Sequence, residues 1–148
     1  QDKEEQGQVT SKSTVPYLWI ALSLIWMAVI FGFSHQANSG AMTEAVLGDA
    51  NVLVRKSAHV TEYAVLFCLY WQVLKRLSFW SGKTVLKLLL TLIMVALYAK
   101  SDEWHQSFVP GRSSSDLDVL VDTAGGVIGL VVCLLWQVIT KKQSIKNK

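Results

Sequence analysis

The apolar positions of this chain gather into four runs, at residues 16–33, 58–74, 85–99 and 119–139. Polar stretches rich in ionisable groups separate them, and both ends of the chain are polar too. Runs of this kind predict membrane-spanning helices, which need about 20 residues each. The pattern therefore reads as an all-α polytopic membrane protein, a four-transmembrane-helix bundle with both termini on one side. Residues 1–14 read as a disordered N-terminal tail, 15–140 as the membrane domain and 141–148 as a basic C-terminal tail. The first run, which follows a polar tail, is expected to be a retained span rather than a cleaved signal peptide.

Length changes this picture, because the second and third runs fall short of a span. Extending the second takes in Arg55 and Lys56, with His59, Glu62 and Tyr63 already inside it. The third reaches span length only by including Lys100, Ser101, Asp102, Glu103 and Trp104. The fourth opens at a serine cluster, which puts Asp118 and Asp122 in its first turns. Ionisable groups at that depth are costly unless they face a polar cavity and have partners. At about 100° per residue, Lys56, His59 and Tyr63 fall within roughly 60° of arc, with Glu62 about 60° further round. Asp102, His105 and Gln106 fall within roughly 100° if the third helix continues that far. Asp118 and Asp122 repel at i,i+4 spacing and call for a cation, a shared proton or a metal. The same face continues as Gly125, Gly126 and Gly129, small residues that let another helix approach.

Charge then orients the bundle. Lys3, Lys12, Lys75, Arg76, Lys83, Lys87, Lys141, Lys142, Lys146 and Lys148 fall at one end, ten of the fourteen basic residues. The positive-inside rule places that end, with both termini, in the cytoplasm. All three histidines and eight of the eleven acidic residues go to the opposite end. The net charge of +3 is accounted for by these loops. It forms no basic stripe, so no nucleic-acid partner is expected. Trp19, Trp71, Trp80, Trp104 and Trp136 lie near span ends, as interfacial aromatics do. Cys68 and Cys133 fall inside spans and read as small buried apolar residues.

The polar stretch between the last two runs has its own grammar. Pro110-Gly111 predicts a tight turn with Gly111 at positive φ. Ser113–Asp116 and Ser115–Asp118 both have capping-box spacing, so a helix starts at one of the serines. A helix N-terminus beside Arg112 suits an anion such as phosphate. The plainer reading is an ordinary cap with Arg112 paired to Asp116 or Asp102.

These pieces resemble the VanZ-like family. The resemblance rests on Phe33-Ser34 with Gln36, on RKSAHVTEYAVL at 55–66, on SDEWHQSFVPGRSSSDLDVLVDT at 101–123, and on the order of the four runs. The family pattern Lys-x-x-His-x-x-Glu-Tyr falls on Lys56, His59, Glu62 and Tyr63. Its Asp-Glu-x-His-Gln and Pro-Gly-Arg pieces fall on Asp102, Glu103, His105, Gln106, Pro110, Gly111 and Arg112, followed by Asp118 and Asp122. The resemblance implies an integral protein of the bacterial cytoplasmic membrane, in a family named for low-level resistance to the glycopeptide teicoplanin.

One reading is an enzyme acting on a membrane lipid phosphate or a lipid-linked cell-envelope intermediate, by hydrolysis or transfer. Its catalytic candidates are His59, Glu62, Asp102, His105, Asp118 and Asp122. Its substrate-binding candidates are Lys56, Tyr63, Glu103, Gln106, Arg112 and Ser113. His59, Glu62, His105 and Asp122, with Asp102, are acceptable ligands for a divalent metal, Zn²⁺ or Mn²⁺. A second reading is non-catalytic lipid-headgroup binding or transport, for which so short a chain is expected to form an oligomer. A third is a structural ion-pair network that holds a small bundle together.

Overall fold

The chain's two prolines stand at positions 16 and 110, so no helix interior meets one. Apolar stretches without that interruption propagate as long helices. The computed structural model describes residues 14–77, 82–112 and 114–146. The expectations for residues 1–13, for Trp80 and for Ser113 fall outside the described residues. The elements are α1 (Thr14–Ser34), α2 (Ser39–Leu47), a 3₁₀ turn (Gly48–Ala50), α3 (Asn51–Leu74), α4 (Thr84–Gln106) and α5 (Asp116–Lys146). Among the described residues every regular element is helical, as expected.

Among the described residues three helices, not four, are long and apolar enough to cross a membrane: Pro16–Ser34, Thr84–Gln106 and Asp116–Lys146. The expectation of four spans is corrected at α3. Its 24 residues are long enough, but Arg55, Lys56, His59 and Glu62 lower its apolarity. The physical reason is position: α3 packs against α1, α4 and α5 at once, so protein shelters much of its surface. It supplies Tyr63, Leu66, Phe67, Tyr70 and Trp71 to the core, which Ile30, Val95, Ala99 and Cys133 complete. The other helices turn Leu24, Ile25, Leu89, Ile93, Leu97 and Leu135 outward. A surface this apolar suits lipid rather than water.

Two helix boundaries differ from the sequence reading. Helix α2 occupies what read as a plain polar loop. Residues 141–146 of the basic tail continue α5, since no glycine or proline stops the helix there and lysines suit its C-terminal dipole. Helix α4 does run to Gln106, as span length required.

Close approach of backbones fixes how α3 and α5 meet. A Cβ on Gly125 would lie 2.5 Å from the Val60 carbonyl oxygen, and one on Gly129 would lie 2.5 Å from that of Ala64. Gly126 faces Val95 of α4, 2.8 Å from where its Cβ would be. The expected packing role of this glycine face holds. Cys68 and Cys133 sit in the same interface with their sulfurs 3.2 Å apart, as free thiols. At the end that holds the α3–α4 connection, buried Lys87 donates to the Lys75 and Leu77 carbonyls at 3.4 and 3.2 Å, satisfying the C-terminus of α3.

Gly129→Ala should therefore lower the thermal stability of the detergent-purified protein by about 1–3 kcal/mol through overpacking. Gly32→Ala, with nothing within 4 Å of its added Cβ, should not. Thermal unfolding of the two variants side by side checks this.

Candidate functional site

The C-terminal ends of α1 and α4 and the N-terminal ends of α3 and α5 converge at one end of the bundle. Because α3 and α5 lie so close, two residues of each pair across the gap. Lys56 Nζ stands 3.7 Å from Asp118 Oδ1. His59 Nδ1 stands 3.1 Å from Asp122 Oδ1. The repulsion expected between the two aspartates is thus relieved by a separate partner for each. With Asp122 ionised, Nδ1 carries the proton and donates it to the carboxylate.

Behind this pair lies Asp102. Its Oδ2 accepts from Ser34 Oγ at 2.7 Å, Gln106 Nε2 at 2.8 Å and Tyr63 OH at 3.4 Å. Gln106 Nε2 also donates to Ser34 Oγ at 3.2 Å. All four residues are buried. One oxygen of each buried aspartate, Asp102 Oδ1 and Asp122 Oδ2, has no hydrogen-bond partner among the described residues. Ser34 was missed as a site residue. Its signal was available: it closes the first apolar run at the same end as the motifs.

The start of α5 is capped at Ser115, one of the two serines the spacing allowed. Ser115 Oγ accepts the Leu117 N–H at 3.0 Å. The Ser115 N–H donates to Glu103 Oε2 at 3.1 Å, so a carboxylate from α4 takes the part that a capping-box residue usually plays. Arg112 does something the sequence did not suggest. Its Nη2 and Nε donate to the Phe33 and Ser34 carbonyls at 2.9 and 3.3 Å. It therefore caps the C-terminus of α1 and pairs with neither Asp116 nor Asp102. Burial, with Arg55 nearby, pulls its guanidinium below the ordinary arginine range, yet it stays charged at neutral pH. Gly111 has φ 74°, as the turn predicted, and a Cβ there would collide with the Asn38 side chain. The Asn38 N–H donates to the Pro110 carbonyl at 3.1 Å, tying the hairpin to the α1–α2 junction.

Two clefts flank the N-terminal half of α3. One, of about 180 Å³, is lined by Val52, Arg55, Lys56, His59, Glu103, Gln106, Asp118, Val121 and Asp122. The other, of about 380 Å³ and more open, is lined by Phe33, Gln36, Thr43, Arg55, Ala58, His59, Glu62 and Arg112. Arg55 and His59 belong to both. Of the expected site residues, His59, Asp102 and Asp122 come together most tightly, with one potential ligand atom from each lying within 4.8 Å of the others. Glu62 faces the second cleft instead. His105 lies apart, its Nε2 3.1 Å from His35 Nδ1 and its ring against Phe31. Lys100 pairs with Asp116 at 2.6 Å.

Three apolar spans around a polar, half-open cleft at one end define an all-helical membrane protein. A model of the VanZ/LLP1 family matches residues 4–137, and the chain belongs to that family. No curated protein and no solved structure matches it significantly.

Arg112→Gln should leave the α1 carbonyls unpaired and lower stability by about 1–3 kcal/mol. Thermal unfolding of the purified variant reads the loss directly.

Proposed function

We propose that the protein acts on the phosphate of a membrane lipid or lipid-linked envelope intermediate, by hydrolysis or transfer. The observation that carries this reading is the His59–Asp122 pair opening into a cleft whose other walls hold Lys56 and Arg55. The two cations draw in phosphate oxygens. His59, oriented by Asp122, takes the proton from the attacking water or alcohol. A new P–O bond forms, the ester P–O bond breaks, and the proton passes to the departing oxygen. Val52 and Val121 on the cleft wall, with the apolar outer helix faces beyond, suit an amphiphile with its headgroup inside and its chains in lipid.

In this proposal the lysine-rich end carrying Lys75, Arg76 and Lys141 is cytoplasmic, and the cleft faces the outside of the cytoplasmic membrane. Helix α3 lies among the three spans, its polar outer half at headgroup depth. A teicoplanin phenotype would then follow from altered envelope lipids. The second reading, headgroup binding or transport, is favoured by Arg55 and His59 lining both clefts. Vesicles that move a lipid without altering it would support that alternative.

The purified protein should turn over a labelled lipid phosphate. His59→Ala should reduce the rate by about 10²–10⁴-fold, the range for loss of a general base. His105→Gln, whose ring faces His35 and Phe31, should retain most of it. Equal turnover in wild type and His59→Ala would remove His59 from the mechanism.

A further inference from the structure

Asp102 and Asp122 pose a charge problem that the hydrogen bonds do not solve. They are 3% and 1% exposed, and carboxylates buried so deeply need cations or protons. Asp122 has His59. Asp102 has only neutral donors, the two hydroxyls of Ser34 and Tyr63 and the amide of Gln106, and forms no ion pair among the described residues. These donors crowd onto Oδ2, while His59 takes Oδ1 of Asp122. The remaining oxygens, Asp102 Oδ1 and Asp122 Oδ2, are the two buried side-chain polar atoms without a partner among the described residues. Both aspartates belong with His59 to the group whose ligand atoms lie within 4.8 Å of one another.

The geometry points to a divalent-cation site formed by His59, Asp102 and Asp122. One imidazole nitrogen and two carboxylate oxygens are a hard-to-borderline donor set, matched to Mn²⁺ or Zn²⁺ rather than to a soft ion. Ligands about 2.1 Å from a cation are at most about 4.2 Å apart. In a four-coordinate site with one position open the ligands stand roughly 3.4 Å apart, so closing the group onto an ion requires shifts on the order of an ångström. Three protein ligands leave a coordination position open, and the cleft that His59 and Asp122 line leads to it. Ser34, Gln106 and Tyr63 then serve as positioning residues, holding Asp102 so that Oδ1 is the free oxygen.

Sequence alone nominated a wider set of ligands. The structure leaves Glu62 in the second cleft and His105 against His35, and narrows the set to these three. The inference deepens the proposed lipid-phosphate reading, on which its catalytic purpose rests: with an ion held, His59 would be a ligand and the ion would supply the acidification of the attacking water that His59 otherwise provides as base; its occupancy does not depend on that reading.

The test uses the full chain in detergent, stripped with a chelator and titrated with Mn²⁺ and with Zn²⁺ in the absence of any lipid substrate. The expected result is saturable binding of one ion per chain with a metal-dependent rise in melting temperature. Asp102→Asn and His59→Gln should each weaken binding at least about tenfold, a loss that even outer-shell partners can cause. Asp116→Asn, paired with Lys100 in solvent, should bind as wild type does. If Asp102→Asn does not fold, His59→Gln, which is less buried, supplies the comparison. Absence of saturable binding overturns the inference and favours a proton shared by the two aspartates. Binding unchanged by both variants overturns it as well. Binding without lipid turnover keeps the cation site and sinks the enzymatic reading; turnover in chelated protein without binding does the reverse.

Discussion

Contact between the backbones of α3 and α5 governs the rest of this molecule. At Gly125 and Gly129 there is no room for even a methyl group. That closeness sets the register in which Lys56 meets Asp118 and His59 meets Asp122. The partners are three residues apart on α3 and four apart on α5, so one helical turn of each faces one turn of the other. With bulkier residues in place of the glycines the helices would stand further apart, and short side chains such as aspartate would no longer reach. Packing and chemistry thus depend on the same few residues.

A bundle that buries ionisable groups must also settle its helix ends, because unpaired carbonyls in an apolar setting are costly. This chain does so with side chains borrowed from elsewhere. Arg112 closes α1, Lys87 closes α3, and Glu103 of α4 accepts the backbone N–H at the start of α5. The Arg112 link spans 78 positions, while the other two join neighbouring elements across the turn between them. The effect at the site end is to pin the hairpin after α4 against the end of α1. Asp102 and Gln106, just before that hairpin, are thereby held against Ser34, the last residue of α1.

Much of the fold was legible because span length is a hard constraint. It forced the third helix through Asp102 and Glu103, and it forced Arg55 and Lys56 into the second. The positive φ of Gly111 and the packing role of the glycine face followed from residue type alone. What misled was treating every long helix as facing lipid. Hydropathy reports what surrounds a helix only when lipid does, and α3 is instead surrounded largely by other helices. The length of α2 and the continuation of α5 to Lys146 were hidden for a simpler reason: neither depends on an apolar stripe.

The site was legible by membership and not by pairing. Helical period says which residues share a face within one helix; it says nothing about which face meets which. So Lys56, His59, Asp118 and Asp122 could be gathered from the sequence, while the match of Lys56 to Asp118 and of His59 to Asp122 waited for the α3–α5 register. Arg112 shows the limit from the other side. A guanidinium next to a helix start looks like an anion clamp, but backbone carbonyls are also acceptors and carry no sequence signature. Ser34 closes the first apolar run in the Phe33-Ser34 piece, which marks its end of the bundle but not its partner. Its contact with a carboxylate 68 positions away makes it part of the site. Where a buried charge is held by neutral groups from three helices, no single segment can announce the site. The unpartnered carboxyl oxygen that results is a property of the assembled fold.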